Sequence, residues 1–167
     1  MIRQGNQIKF ETPKDVSGAI GIQRKLAGKV MLRGDVKNAR IIAGLDVGYD
    51  YKKNLSKAAI TLFRNEEIQP FLSAFAFSET PFPYISGLLS FREIPVILDL
   101  FKCIPVFPDL VFVDGQGIAH PRRLGIASHL GVLLDIPTIG VAKSRLCGQF
   151  DMPGKMRGSQ TMLRDKG

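Results

Sequence analysis

The stretch LVFVDGQGIAHPRRLGIASHLGVLLDIPTIGVA (110–142) decides the fold. Its opening, Leu110–Val113, is wholly apolar and stops at Asp114-Gly115-Gln116-Gly117. A short apolar run closed by turn formers reads as a buried strand. Leu124, Ala127, Leu130 and Leu134 then recur at helical spacing, which predicts a helix over Arg122–Leu134. Pro137–Ala142 (PTIGVA) is a second buried strand. Strand, helix, strand is the βαβ step, which joins parallel neighbours by a right-handed crossover and needs helices against the sheet.

Upstream, Ile85, Leu88, Leu89, Ile97, Leu100, Phe101 and Ile104 predict another helix. Ser90-Phe91-Arg92-Glu93 matches a capping box and Pro95 suits only a first turn, so this helix is expected to start near Ser90. Pro81-Phe82-Pro83-Tyr84 breaks regular structure before it. Three further apolar runs, Ile41–Val47 (IIAGLDV), Lys57–Phe63 (KAAITLF) and Phe71–Phe77 (FLSAFAF), read as a meander, with Arg64-Asn65-Glu66-Glu67 turning between the last two. Residues 1–38 are polar and basic, with a weak helical pattern through Ile20, Ile22, Leu26, Val30 and Met31. Three strands, helix, strand, helix, strand is the order of a ribonuclease H-like α/β fold. That is a mixed sheet, an antiparallel three-strand meander plus parallel strands, with helices on its faces.

Composition sets the frame. The chain has 167 residues, 45% apolar and 23% charged, enough for one globular domain with its own core. No apolar run approaches the ~18 residues of a membrane span, and the N-terminus lacks the apolar core of a signal peptide. Two cysteines, Cys103 and Cys147, exclude a disulfide framework and a four-thiolate zinc site, and read as reduced thiols of a cytoplasmic protein. Twenty-three Lys and Arg against 15 Asp and Glu give +8, the balance of a protein that meets polyanions. Residues 1–45 hold nine of the basic and three of the acidic groups, so a basic arm precedes a middle that holds most of the carboxylates.

Those carboxylates carry the chemistry. A charge inside an apolar strand is costly unless it is paired or bound to metal. Asp46 lies within IIAGLDVGY, Asp114 ends LVFVD where open α/β sheets place their ligands, and Glu93 projects from the helix between them. Pairing of the two strands would set Asp46 beside Asp114, and the three acids together form an oxygen-rich set for Mg²⁺. Asp114 also reads as a turn residue and Glu93 as the capping partner of Ser90, whereas neither a cap nor a turn accounts for Asp46. Lys143, just past the last strand, is either a phosphate contact or a solvated strand end. His129 is either a packed core histidine or a metal ligand. His120-Pro121-Arg122-Arg123 at a helix start would suit phosphate contacts. Tyr84, on the proline-stiffened loop, is either core packing or a wedge between bases.

DVGYD (46–50), PYISGLLSFRE (83–93), the 110–148 block ending in KSRLCG, and LRDKG (163–167) resemble the endonuclease V family. That resemblance runs from about Ile41 to the end of the chain. It implies Mg²⁺-dependent cleavage, with Mn²⁺ as a substitute, at the second phosphodiester 3′ to deoxyinosine, leaving a 3′-hydroxyl and a 5′-phosphate. By resemblance Asp46, Glu93 and Asp114 hold the metal and act in catalysis with Lys143. Tyr84 is the wedge on a loop with Pro83, Ile85 and Gly87, while Gly115, His120 and Arg122 line the nucleic-acid site. The implied partner is inosine-containing DNA, with RNA or single strands as variants, and no membrane. Ser86 stands where the family's loop has a second proline. Members also continue past the segment matched by LRDKG, with strands and a helix bearing a further His or Asp. The expectation is therefore a single domain over 1–167 lacking those elements, with a bare sheet edge open to self-association. Two other readings follow: a weakly active or inactive nucleic-acid-binding remnant, and another ribonuclease H-like repair nuclease.

Overall fold

The computed structural model describes residues 10–34 and 36–165. The first nine residues of the basic arm, and Lys166 and Gly167 of LRDKG, lie outside them. The described residues form helix α1 (Val16–Ala27), strands β1 (Ile41–Asp50), β2 (Leu55–Arg64) and β3 (Leu72–Glu79), helix α2 (Leu89–Cys103), strand β4 (Leu110–Asp114), helix α3 (Ile126–Leu134) and strand β5 (Thr138–Val141). The sheet runs β3-β2-β1-β4-β5. β1 to β3 are an antiparallel meander, and β4 and β5 join it in parallel.

Alternation along the strands selects one face for the core. Ala43 and Leu45 of β1, Ala58, Ile60 and Leu62 of β2, and Val111 and Val113 of β4 are buried against Ile94, Ile97 and Phe101 of α2 and Ile126, Ala127 and Leu130 of α3. α1 adds a smaller cluster, Ala19 and Ile22 against Phe82, Leu88 and Phe91. On the other face Phe75, Phe77, Phe112, Ile139 and Val141 are exposed. The ribonuclease H-like order holds, but α2 and α3 share one face of the sheet where helices on both faces were expected.

The start of β1 is pinned to β4 by Asp109. Its Oδ2 accepts the N–H groups of Arg40 and Ile41, each at 2.9 Å, and its own N–H donates to the Ile41 carbonyl at 2.8 Å. That sets Ile42 opposite Leu110 and Leu45 opposite Val113.

Several boundaries differ from the sequence reading. β1 continues past Val47 to Asp50, because β2 pairs with it along that whole length. α1 stops at Ala27, so Met31 is exposed and Val30 lies outside the helix. The capping box is not formed: Leu88 is the N-cap, without a side-chain bond, and Pro95 sits in the second turn of α2. Ser90 and Glu93 each have a tertiary partner instead. α3 begins four residues later than Arg122, because Arg123 adopts a left-handed φ of 58° and Gly125 is extended.

Burial separates two phenylalanines of similar appearance in sequence. Phe101→Ala should cost about 3–5 kcal/mol in chemical denaturation, the usual loss for a buried ring, since Phe101 is enclosed in the core. Phe75→Ala, on the open face at 70% exposure, should change stability by no more than ~0.5 kcal/mol. Equal losses would mean that the open face is covered in solution.

Candidate functional site at the strand ends

Continuing the β1–β4 register by one step sets Asp46 level with Asp114, just past the last paired residues, Leu45 and Val113. Glu93 arrives from the second turn of α2. All three line one cavity of about 380 Å³, together with Tyr84, Gly87, Gly115, His120 and Lys143. Ile85, Leu89, Leu124, Ile126 and Leu146 supply its apolar wall. The volume is within the range of small-ligand sites.

The cost of burial falls on a different carboxylate from the one expected. Asp46 is exposed, since it alternates with the buried Leu45 onto the face of β1 away from the helices, and its Oδ1 accepts the Val47 N–H at 2.7 Å. Asp114 is half-buried and pairs with the exposed Nζ of Lys143, which it holds above the ordinary lysine range. Glu93 is buried, and its Oε1 accepts the Tyr49 hydroxyl at 2.7 Å. Desolvation by burial pushes Glu93 up to about 7, Asp46 and Asp114 add to the rise, and the Tyr49 bond and Arg92 oppose it. Tyr49 is held above its usual range, first by its own burial and then by Glu93. The Arg92 guanidinium lies 4.3 Å from the centre of the Tyr49 ring.

Among the described residues no three Asp, Glu, His or Cys side chains stand at metal-ligand spacing. The three acids therefore surround the cavity without clustering, each held by a protein donor: the Val47 N–H, the Tyr49 hydroxyl or the Lys143 ammonium. The donor chemistry still suits a hard divalent ion, which takes carboxylate oxygens and water. Asp46 and Asp114 raise the cost of ionising Glu93, and Lys143 is the lysine or arginine among the residues lining the cavity.

The loop before α2 presents Tyr84 at 70% exposure, which rules out the core-packing alternative for that ring. Pro83 is exposed beside it, and Ile85 is half-buried. His120 and Arg122 do not present free cationic groups for phosphate. His120 is buried, its Nε2 is 2.9 Å from the Gly87 carbonyl, and its Nδ1 accepts the Arg122 N–H at 3.1 Å. Burial holds that imidazole below the ordinary histidine range. Arg122 donates from Nη2 to the same carbonyl at 2.7 Å, and burial lowers its pKa too. Arg123 pairs with Asp165. His129 does not line the cavity. It is buried between Phe10 and Phe91, with Nδ1 3.0 Å from the Ser90 hydroxyl, and burial lowers it to about 4.

Gly115 begins a loop that crosses β5 so closely that a Cβ on Gly140 would overlap the Gly115 carbonyl at 2.6 Å. Two site residues went unread in the sequence. Tyr49 lay within the DVGYD motif, and its alternation with Leu45 and Val47 would have placed it on the helix-facing side. Gln23 shows as a polar break in the apolar stripe Ala19, Ile22, Leu26.

A ribonuclease H-like sheet with carboxylates gathered around a cavity at its strand ends is the architecture of a nuclease, a hydrolase of phosphodiester bonds. The Endonuclease V family model matches residues 24–167, and the chain belongs to that family. The endonuclease V of Nostoc punctiforme is 44% identical over 152 residues, 90% of this chain and 69% of the relative. That of Azotobacter vinelandii is 47% identical over 151 residues, covering 90% and 68%. The crystal structure of the Streptomyces avermitilis endonuclease V superposes with a TM-score of 0.86 at 39% identity, over 92% of this chain and 68% of that one. The Ciona intestinalis endonuclease V, solved with a 24mer DNA containing an inosine followed by a ribo-adenosine, matches with a TM-score of 0.70 at 30% identity, over 77% and 57%.

Glu93 makes stability depend on pH in a defined direction. With its folded-state pKa near 7 against 4.5 unfolded, the native chain keeps a proton that the unfolded chain loses. Its contribution is complete below pH 4.5 and declines as pH rises towards 7. Glu93→Gln retains an acceptor for Tyr49 and removes the titration. In metal-free buffer it should nearly match the parent chain at pH 4.5 and exceed it by about 3 kcal/mol at pH 8. Parallel stability curves across that window, measured by denaturant titration, would show that Glu93 is not desolvated.

Proposed function

We infer that the chain is a Mg²⁺-dependent endonuclease of DNA repair that accepts Mn²⁺ as a substitute. It cleaves the second phosphodiester 3′ to a deoxyinosine and leaves a 3′-hydroxyl and a 5′-phosphate. The observation that carries this reading is the shared cavity, with Asp46, Glu93 and Asp114 at one end and the exposed Tyr84 loop at its rim. Family membership supports it, as does the inosine-containing DNA bound by the Ciona relative.

Asp46, Glu93 and Asp114 would hold the ion. When bound, it supplies positive charge to the phosphate and activates the attacking water. The chain's own groups do the rest. With Oε1 accepting the Tyr49 hydroxyl, a proton held by Glu93 would sit on Oε2; its release to solvent would leave the carboxylate free to hold the ion. Lys143 neutralises Asp114 in the free chain and stands ready to meet a phosphate oxygen. The apolar wall of Leu89, Leu124, Ile126 and Leu146 receives a base taken out of its stack. Tyr84 fills the gap left in the duplex, where stacking on an aromatic ring is worth roughly 1–3 kcal/mol per base.

One observation favours a second reading, binding without cleavage: the carboxylates are not at ligand spacing. An inosine-containing oligonucleotide separates the two. Cleavage at the stated bond with Mg²⁺, abolished by EDTA, supports the enzyme; binding with no cut under either condition supports the second reading. Asp46→Asn should lower cleavage at least ~100-fold, the scale of losing one charge-stabilising group in an active site. Because Asp46 is exposed, the melting temperature should barely change.

Affinity should carry the signature of a +8 chain on a polyanion. A plot of log affinity against log salt should fall with a slope of about −0.9 per neutralised phosphate on duplex. A flat plot would remove charge as the driver of binding.

A further inference from the structure

The Gly87 carbonyl accepts three side-chain donors. Gln23 Nε2 lies at 2.9 Å, His120 Nε2 at 2.9 Å and Arg122 Nη2 at 2.7 Å. Gln23 belongs to α1, far in sequence from Asp46, Glu93 and Asp114, and is 1% exposed. The same Nε2 also donates to the Leu124 carbonyl at 3.2 Å, and its Oε1 accepts from Arg122 Nε. The amide is thus engaged at both its nitrogen and its oxygen, by protein alone. Gly87 itself has φ +77°, and a Cβ there would stand 2.9 Å from Arg122 Nη2, so glycine is favoured at this position.

α1 holds the other end of the same loop through apolar contact. Ala19 and Ile22 pack with Phe82, and the Arg92 guanidinium donates to the Phe82 carbonyl at 3.2 Å. Tyr84 therefore projects between two anchors, Phe82 and Gly87, both fixed by one helix. Gln23 itself hydrogen-bonds to Gly87, Leu124 and Arg122, not to the site carboxylates.

We propose that Gln23 is a positioning residue for lesion recognition: by holding the Gly87 carbonyl it fixes the loop that presents Tyr84, so discrimination for inosine is set from α1. This rests on the reading of Tyr84 as the wedge. Gln23 acts through the loop and not on the base, since its amide nitrogen and oxygen are already bonded to the protein. A loop released from Gly87 would have to be ordered at the moment of binding, which costs affinity for the substrate that needs the wedge.

The test measures binding of the full chain to inosine-containing and undamaged duplexes, without metal, for four proteins: parent, Gln23→Leu, Tyr84→Ala and the double variant. Gln23→Leu should lower the ratio of the two affinities about tenfold, equivalent to ~1.4 kcal/mol. Affinity for undamaged duplex and Mn²⁺ binding measured by calorimetry should stay unchanged. In the double variant the losses should not add, because both substitutions act on one loop. A merely structural role for Gln23 would weaken both duplexes equally and leave the ratio intact. Should the leucine protein fail to fold, Gln23→Asn keeps the amide but shortens its reach, and must lower the ratio in the same direction. An unchanged ratio, or additive losses in the double variant, overturns the proposal. If Tyr84→Ala keeps full discrimination, the wedge reading itself fails; if Tyr84→Ala loses it and the Gln23 variants do not, only the role of Gln23 fails.

Discussion

Parallel pairing of β1 with β4 is the constraint on which the site depends. A strand's side chains alternate, so a register slip of one residue would send Asp46 and Asp114 to opposite faces. Asp109 guards against that slip at the first step, with one carboxylate oxygen shared by the Arg40 and Ile41 amides and its own amide returned to Ile41. Because Leu45 then faces Val113, the next residue on each strand is an acid, and both acids fall where pairing has ceased. The sheet's core face, the placement of α2 and the position of Glu93 all follow from the same register.

The electrostatics of the cavity come from uneven solvation. Asp46 keeps access to water, Asp114 has a lysine, and Glu93 has neither. Its environment is an apolar helix face and a tyrosine whose hydroxyl is itself desolvated. Arg92 stays close enough to temper the charge while stacking on the Tyr49 ring and holding the Phe82 carbonyl. Such a carboxylate gains from any cation that enters the cavity, since a nearby positive charge favours its ionised form. Tyr49 and Arg92 thus couple the acid to the start of the Tyr84 loop through one contiguous set of contacts.

Polar groups that would suit a ligand are also the groups that hold the scaffold. His120 and Arg122 have the chemistry of phosphate contacts, yet an unpaired carbonyl beside them is expensive to bury. They satisfy Gly87 instead, with Gln23 completing the set. His129 is similarly absorbed, its ring between two phenylalanines and its nitrogen on Ser90. Ser90 and Glu93 could have closed a local capping box, but each makes a long-range bond in its place.

By itself the sequence determined the element order, the mixed sheet and the identity of the three acids. Periodicity and apolar runs report which side chains must leave water, and that requirement is local. IIAGLDV, LVFVD and PTIGVA were legible as strands for this reason, and the motifs around them carried the family. Only the tertiary structure decided that Glu93 is the desolvated acid, because its burial depends on how α2 packs against the sheet. It also decided the partners of His120, Arg122 and Gln23. A carbonyl on one loop chose among donors 33, 35 and 64 residues away, and no spacing in the chain encodes such a meeting.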